Sequence, residues 1–273
     1  SQAVLWAATD VDPKHENPEL TTSEPYVMGS HATGSGAWCS GPEDVSPPEY
    51  FWGYNRMMTI EGLFGAGDAV GGTPHAFSSG SFTEGRLSAK AACRYIDDGK
   101  GEGIVVSDKR INELKEKIYK PMEHYKIYRN EVVAGDVNPN YINPRQGLDR
   151  LQKLMDEYCG GATVSYMTNE KLLSIGLKKL KVMEEDLEKL AASDFHELLR
   201  AWELMHRHRT AECVTQHTMF RKETRWPGYY YRGDAMKLDD ENWHVLTVSR
   251  RDPDTGEYTM EKAPVYHLVK DGE

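Results

Sequence analysis

Residues 59–96 read TIEGLFGAGDAVGGTPHAFSSGSFTEGRLSAKAACRYI, and this stretch decides how the chain is interpreted. The apolar residues within 60–64 predict a short buried strand. Gly65 and Gly67 follow it, and because they carry no Cβ, the backbone there can approach a ligand closely. Asp68 comes next and offers a carboxylate that can accept hydrogen bonds from sugar-like hydroxyls. The first half of the stretch therefore predicts a strand that ends in a ligand-facing turn.

The second half of the same stretch predicts a helix N-terminus. Ser81 and Glu84 have the spacing of a capping box, so the helix should begin near Ser81. Its positive end, equivalent to about half a unit charge, would favour an anion. A reduced flavin, which gathers negative charge on one ring edge, suits such a site. The alternative is an ordinary strand–loop–helix unit without a ligand, because Gly-rich turns before helices are common. The sequence also lacks the GxGxxG fingerprint of a nucleotide pyrophosphate site, so the ADP half of FAD has no obvious place in it.

The remainder of the chain predicts an α+β fold. Between 107 and 220, apolar residues recur at the three- and four-residue spacing of buried helix faces. Pro121 is expected to kink or end the first of these helices. Turn residues between 244–250 and 257–262 predict a β-hairpin near the end of the chain. The apolar stripes are Ile111, Leu114, Ile118, Met122 and Tyr125; Leu148, Leu151, Met155 and Tyr158; Leu173, Leu177, Leu180, Met183, Leu187 and Leu190; and Leu198, Trp202 and Met205.

Composition argues against several classes of protein. The formal net charge of -10 is unsuited to non-specific nucleic-acid binding, which needs positive charge to displace phosphate counterions. No run approaches the roughly 18 apolar residues of a membrane span. The four cysteines, at 39, 93, 159 and 213, are too far apart for a CxxC or iron–sulfur run. Buried neutral thiols in a reducing, cytoplasmic compartment are therefore expected.

Two charged groups in the second half of the chain are interpreted structurally. The run 206–209, His-Arg-His-Arg, predicts a solvated basic face rather than a metal site, because alternating residues of a helix point in different directions. No metal-binding residues are predicted. Arg225 is expected to form structural ion pairs.

Four stretches follow one another along the chain: EPYVMGSH at 24–31, GLFGAGDAVGG with HAFSSGSFTEGRLSAKAA at 62–92, RKETR at 221–225 and DDENW at 239–243. In this order they resemble segments of the fumarate reductase and succinate dehydrogenase flavoprotein superfamily. In that superfamily the first segment carries a substrate-binding histidine and the second contacts the flavin. The resemblance extends over nearly the whole chain and implies an FAD-dependent oxidoreductase.

The loop that follows the Gly-rich turn indicates one branch of this superfamily. Dicarboxylate enzymes carry an Arg there that grips a substrate carboxylate, whereas Ser78 stands in its place and offers no guanidinium fork. This loop, with SEPYVMGSHATGSGAW at 23–38 and EYFWGYNRM at 49–57, resembles the adenylylsulfate reductase alpha subunits. The resemblance implies interconversion of adenosine 5′-phosphosulfate with sulfite and AMP, through attack of the flavin N5 atom on sulfur.

The resemblance also implies which residues form the site. His31 is the expected catalytic residue, either as a cation that binds the sulfate or sulfite group beside the flavin ring or as a group that tunes the proton balance near physiological pH. Asp68 is expected to bind the ribityl hydroxyls of FAD, and His75 to contact flavin or substrate. The implied cofactor-binding residues are Gly67, Asp68, His75, Ser78, Ser79, Gly80, Ser81 and Phe82.

The implied assembly is a heterodimer in which this subunit holds FAD. A partner beta subunit would hold two [4Fe–4S] clusters, and an indirect link to a membrane electron-transfer complex stays open. The implied division is 1–50 for the end of a capping domain, 51–106 for the C-terminal segment of the FAD domain, 107–220 for a helical domain and 221–273 for an extension with the hairpin. The nucleotide-binding half would precede residue 1, so we expect a fragment that is inactive alone.

Two alternatives remain at the level of sequence. One is another flavoprotein oxidoreductase of the same superfamily that acts on a dicarboxylate or an amino acid. The other is a non-catalytic helical interaction fragment that keeps a relic of the flavin fold. A flavin-containing purified complex would distinguish these classes.

Overall fold

The computed structural model describes residues 12, 14–15, 35–71, 78–103, 105–133, 138–225 and 230–265. Helices and two small two-stranded sheets make up these ranges, in agreement with the predicted α+β fold. The helices are α1 (Ser78–Asp97), α2 (Asp108–Tyr128), α3 (Pro144–Tyr158), α4 (Glu170–Leu187), α5 (Phe195–Phe220) and α6 (Asp240–Trp243). The strands are β1 (Met167–Thr168), β2 (Tyr231–Arg232), β3 (Val245–Arg251) and β4 (Tyr258–Pro264).

The hydrophobic core lies between α3, α4 and α5. Leu151 of α3 and Leu180 of α4 are buried there, as their apolar stripes predict. On α5 the core side chains include Leu204, one residue before the predicted Met205. The predicted Trp202 instead turns toward α2, where its Nε1–H donates to the Ile118 carbonyl oxygen at 3.0 Å. The three-helix core is therefore confirmed, with a small rotation of α5.

Capping residues fix where the core helices begin. Asn143, Asn169 and Asp194 each accept a hydrogen bond from the backbone N–H three residues later, which satisfies one of the first unpaired donors of each helix. α3 ends before Gly160, whose φ of +86° suits glycine. A Cβ at Gly160 would lie 2.6 Å from Cε2 of Tyr230, so the turn also needs a small residue.

Helix α2 lies beside this core and continues through Pro121, so the predicted end of the helix at this residue is wrong, and the kink stays a prediction. Proline removes one backbone N–H, and Pro121 is buried, where its carbonyl oxygen accepts the Ala192 N–H at 3.0 Å. The predicted burial of the first half of α2 is also wrong, because Ile111 and Leu114 are 37% and 40% exposed. Only the second half of α2 reaches the core in the ranges that the structure describes.

Strands β3 and β4 form the predicted antiparallel hairpin. Its turn begins at Asp252, whose Oδ1 accepts the Thr255 N–H at 2.7 Å. The hairpin packs on α5 through His217, whose Nδ1 lies 3.0 Å from Thr247 Oγ1 and whose Nε2 lies 2.9 Å from Ser249 Oγ. Burial lowers the pKa of His217. The hairpin is thus tied to the helical core by hydroxyl–imidazole contacts.

The parallel pair β1 and β2 was not predicted, because two residues per strand are too few to show a period. The Tyr231 N–H donates to the Tyr166 carbonyl oxygen at 2.9 Å, and the Gly233 N–H donates to the Thr168 carbonyl oxygen at 2.7 Å. This pair joins the entrance of α4 to the segment that follows α5. The described helices include none with the length and apolar character of a membrane span.

Candidate functional site

The Gly-rich turn at 65–71 is held in place by backbone hydrogen bonds to the segment around Ala37. The Ala37 N–H donates to the Ala69 carbonyl oxygen at 2.7 Å, and the Gly71 N–H donates to the Ala37 carbonyl oxygen at 2.9 Å. A Cβ at Gly36 would lie 2.7 Å from that Ala69 oxygen, so a larger residue would separate the segments. The glycines therefore serve backbone contact within the protein as well as any approach to a ligand.

A second set of backbone hydrogen bonds joins residues 40, 56 and 65. The Arg56 N–H donates to the Ser40 carbonyl oxygen at 2.8 Å, and the Gly65 N–H donates to the Arg56 carbonyl oxygen at 3.0 Å. The predicted strand at 60–64 is wrong, because this segment turns at the surface and Ile60 and Leu63 are 64% and 45% exposed. Pairing there is limited to isolated bridges such as Met57 with Phe64. The segments around residues 40, 56 and 65 therefore contact one another where a single buried strand was predicted.

The turn at Gly67–Ala69 rests against α1. Gly67 has φ +69°, and a Cβ there would lie 3.4 Å from Ser81 Oγ. The Asp68 side chain is exposed beside this contact. The structure therefore brings three of the proposed cofactor-binding residues together, namely Gly67, Asp68 and Ser81.

The described part of α1 already includes Ser78, so the predicted helix start near Ser81 is wrong. Ser81 lies within the helix, and Glu84 takes no part in a capping box. The Glu84 carboxylate is instead buried against Arg56, an interaction between residues too far apart in the chain for spacing to reveal. The strong attraction of a buried carboxylate to a guanidinium explains why tertiary pairing replaces the local cap.

The first two turns of α1 offer an accessible surface. Ser78 and Ser79 are exposed, and the Phe82 side chain is 82% exposed. The Thr83 hydroxyl donates to the Ser79 carbonyl oxygen at 2.9 Å, a bond within the helix. His31 and His75 lie outside the described residues, so their placement stays a prediction.

Aromatic side chains support the segment that precedes the turn. The rings of Trp38 and Tyr50 lie 4.9 Å apart between centroids, and Trp52 meets Trp38 edge to face at 6.1 Å. The Trp52 N–H donates to the fully buried Ser40 Oγ at 2.8 Å. This packing makes the aromatic run part of the scaffold of the turn.

The charged run 206–209 forms the predicted solvated face only in part, because His206 and Arg207 are exposed whereas His208 is buried and Arg209 is half-buried. His208 is buried, and its Nε2 lies 2.8 Å from the Leu180 carbonyl oxygen. Arg209 pairs with Glu184 at 2.6 Å and also with Glu212. These two residues therefore belong to the packing of α5 against α4. In the described residues, no group of three or more His, Cys, Asp or Glu could hold a metal ion.

Arg225 forms the structural pairs expected of it. It contacts Glu223 at 2.6 Å and Asp240 at 2.9 Å. All four cysteines are free, as predicted. Only Cys159 is buried, however, and Cys93 is exposed on α1, so the prediction of buried thiols is wrong as a general statement. Burial raises the pKa of Cys159 and of the half-buried Cys39.

Comparisons with known proteins agree with this architecture. The sequence model of the family described as fumarate reductase flavoprotein C-term matches residues 148–269. The adenylylsulfate reductase subunit alpha of Megalodesulfovibrio gigas is 42% identical over 278 residues, which cover 98% of this chain and 41% of that protein. The chain thus spans about two fifths of the length of this relative.

Solved structures show the same relationship. Adenylylsulfate reductase from the hyperthermophilic Archaeoglobus fulgidus is 51% identical with a TM-score of 0.86, over 98% of this chain and 42% of that chain. The same values hold for a structure of adenosine-5-phosphosulfate reductase in complex with sulfite as a covalent adduct. Quinol fumarate reductase of E. coli is 22% identical with a TM-score of 0.59, over 80% of this chain and 36% of that chain, and shows the fold alone.

The structural likeness to these two reductases extends over 98% of the chain. The family-model match covers the helical core and the hairpin. Residues 148–269 therefore match the fumarate reductase flavoprotein C-terminal family, and the chain as a whole is similar, over nearly all of its length, to the alpha subunit of adenylylsulfate reductase.

Proposed function

We propose that this chain supplies part of the FAD site of an adenylylsulfate reductase, which interconverts adenosine 5′-phosphosulfate with sulfite and AMP. The observation that carries the proposal is 51% identity at a TM-score of 0.86 to a reductase of that name over 98% of the chain. The relative captured with a sulfite adduct supports chemistry at sulfur. FAD, when bound, would supply the redox chemistry of this reaction.

The described residues fit part of a flavin. Asp68 presents an exposed carboxylate beside the Gly67 turn, which suits hydroxyl groups of a ribityl chain. The described part of α1 begins at Ser78, and a helix N-terminus presents backbone N–H groups and the positive end of the helix dipole to a ligand. Both features favour the electron-rich edge of a reduced flavin ring. We assign the pyrimidine edge to Ser78, Ser79, Gly80, Ser81 and Phe82.

Two histidines complete the proposed site. His31 would bind the sulfur-bound oxygens of substrate, where a cation stabilises developing negative charge. His75 would contact flavin or substrate. The role of the protein here is to hold the reacting groups together and to place positive charge near the sulfonyl oxygens.

The proposed partner is an iron–sulfur beta subunit with two [4Fe–4S] clusters. Support comes from the cysteines at 39, 93, 159 and 213, which are separated along the chain and remain free thiols. Free thiols also support a cytoplasmic location for the proposed heterodimer. We also propose domain boundaries after residues 50, 106 and 220.

The proposal is tested with His31→Ala in the complete subunit assembled with its partner. We expect FAD to be retained and turnover of adenosine 5′-phosphosulfate to fall by about a hundredfold or more, the scale of removing one stabilising donor. His15→Ala is the matched control, because His15 is exposed and contacts only the nearby Asp12 among the described residues. Unchanged turnover in His31→Ala would remove this residue from the site. A wild-type complex that lacks FAD, or that reduces fumarate instead, would contradict the proposed function itself.

A further inference from the structure

We propose that the buried ion pair between Arg56 and Glu84 positions α1 against the turn at Gly67–Ala69, and that the affinity of the flavin site depends on this pair. Neither residue is among the flavin contacts assigned above, so they are positioning residues. The inference rests on the proposed function, which makes α1 part of the FAD site. It adds a pairing of two residues that sequence spacing does not connect.

The pair has the geometry of a two-point clamp. Arg56 Nη2 donates to Glu84 Oε1 at 3.0 Å, while Arg56 Nε donates to Glu84 Oε2. The side chains are only 17% and 8% exposed. A planar guanidinium that meets a carboxylate at two points restricts the orientation of both groups as well as their distance.

Arg56 is itself held firmly by the segments that form the turn. Its backbone adopts the left-handed conformation at φ 64°, which is uncommon for a residue with a Cβ. Its N–H and carbonyl oxygen bond to Ser40 and Gly65, and its Nη1 donates to Asn55 Oδ1 at 3.1 Å. The backbone of Arg56 is therefore fixed by its hydrogen bonds to Ser40 and Gly65, and its guanidinium extends from there to α1.

Helix α1 has little other burial to hold it in place. Glu84 and Ala91 are its buried residues in the range that the structure describes. Near its C-terminal end, Tyr95 meets Tyr54 and Phe64 at ring-centroid distances of 5.2 and 5.9 Å. The ion pair lies at the other end, less than two turns from the first flavin-facing residues. Together with the packing of Gly67 against Ser81, it sets where the described N-terminal half of α1 lies.

Removal of one charged partner should displace α1 more than the loss of its hydrogen bonds alone would. A buried charge that loses its partner is unfavourable, so the helix would move to bring the remaining group to water. Loss of both charges together removes that driving force. The two single substitutions should therefore act in the same direction, and their effects should not add.

The experiment uses Arg56→Gln, Glu84→Gln and the double variant in the complete subunit assembled with its partner. We expect each single variant to weaken FAD binding about tenfold, which corresponds to about 1.4 kcal/mol. The double variant should bind FAD no more weakly than either single variant. Arg94→Gln is the control, because Arg94 lies on the same helix in an exposed pair with Glu43, where each side chain is 67% exposed. It should bind FAD like the wild type.

Three outcomes would overturn the inference. Unchanged FAD binding in both single variants would show that the pair is not needed. Opposite shifts in the two variants, cancelling in the double variant, would show a direct effect of charge on the flavin. Loss of protection from hydrogen exchange throughout α3, α4 and α5 would show a general loss of stability instead of a local movement.

Hydrogen exchange also separates this inference from the proposed function. The single variants should exchange faster in α1 while the three-helix core keeps the protection of the wild type, whether or not FAD is bound. If the wild-type complex holds no FAD, the proposed function fails, and faster exchange confined to α1 still supports the positioning role. If FAD binds normally and exchange in α1 is unaltered, only the positioning role fails.

Discussion

The guanidinium of Arg232 closes the C-terminal end of α5, where its Nη1 donates to the Arg221 carbonyl oxygen at 2.7 Å. The same nitrogen reaches the carbonyl oxygens of Thr218 and Met219. The last carbonyls of a helix have no partner within it and carry partial negative charge, so a cation there is favourable. The other side of the guanidinium meets Asp234 at 2.9 and 3.0 Å. Arg232 is 2% exposed and joins the helical core to β2.

Replacement of Arg232 by Met should lower the free energy of unfolding by about 3 kcal/mol, because the helix carbonyls and Asp234 lose their shared partner. Urea unfolding followed by circular dichroism measures the effect. Lys222→Gln is the control, because Lys222 forms an exposed pair with Glu170, and such pairs contribute less than about 1 kcal/mol. Equal stability of the two variants would show that Arg232 is dispensable.

Asp234 should make the free energy of unfolding depend on pH in the acidic range. The hydrogen bond from Arg232 lowers the pKa of Asp234 to about 2. Since this value is below that of the unfolded chain, the stabilisation is complete above about pH 4 and is lost as the pH falls through about 2. The difference in urea midpoint between the wild type and Asp234→Asn should therefore shrink as the pH falls from 5 toward 2. A constant difference over this range would contradict the assignment.

Gly147 of α3 should not tolerate a methyl group. Its added Cβ would lie 2.4 Å from Cδ2 of the buried Leu204. Gly147→Ala should lower stability by about 1–3 kcal/mol through overpacking, despite the better helix propensity of Ala. Gly85→Ala on α1 is the matched variant, since a Cβ there meets nothing within 4 Å. Thermal unfolding should show no loss for Gly85→Ala, and a similar loss in both would point to a backbone effect.

The cysteines should differ widely in reactivity. Cys93 is exposed, whereas Cys159 is buried with its Sγ 3.3 Å from Thr215 Oγ1. Burial raises the pKa of Cys159, which reduces the thiolate that alkylating reagents attack. We expect Cys93 to be alkylated first and Cys159 only after denaturation, as measured by mass spectrometry of tryptic peptides. Prompt labelling of Cys159 in the native protein would show that the core opens locally.

Sequence patterns predicted the helical half of the fold well because its burial repeats along the chain. The apolar stripes of α3 and α4 point to one face, and Asn143 with Gln146 satisfies both halves of a capping box at the start of α3. The first half of α2 shows the limit of this reasoning. Its apolar stripe is real, but periodicity states only that a face is apolar and not what covers it.

The site was less predictable because long-range contacts build it. Gly67 and Asp68 are proposed from their local motif, whereas the ion pair of Arg56 with Glu84 joins residues that no local rule connects. The capping-box spacing of Ser81 and Glu84 was misleading, since a carboxylate that can cap a helix can equally pair with a distant cation. The Arg at position 56, next to an aromatic run, gave no signal of its own.

The parallel pair of strands β1 and β2, here called the clasp, determines how the chain resists a pulling force. The two strands are parallel, so tension applied through the chain on either side of the clasp pulls them in opposite directions along their length. The bonds from Tyr231 to Tyr166 and from Gly233 to Thr168 then bear load together in shear. Helices α4 and α5 lie between these points along the chain and are shielded from force until the clasp ruptures.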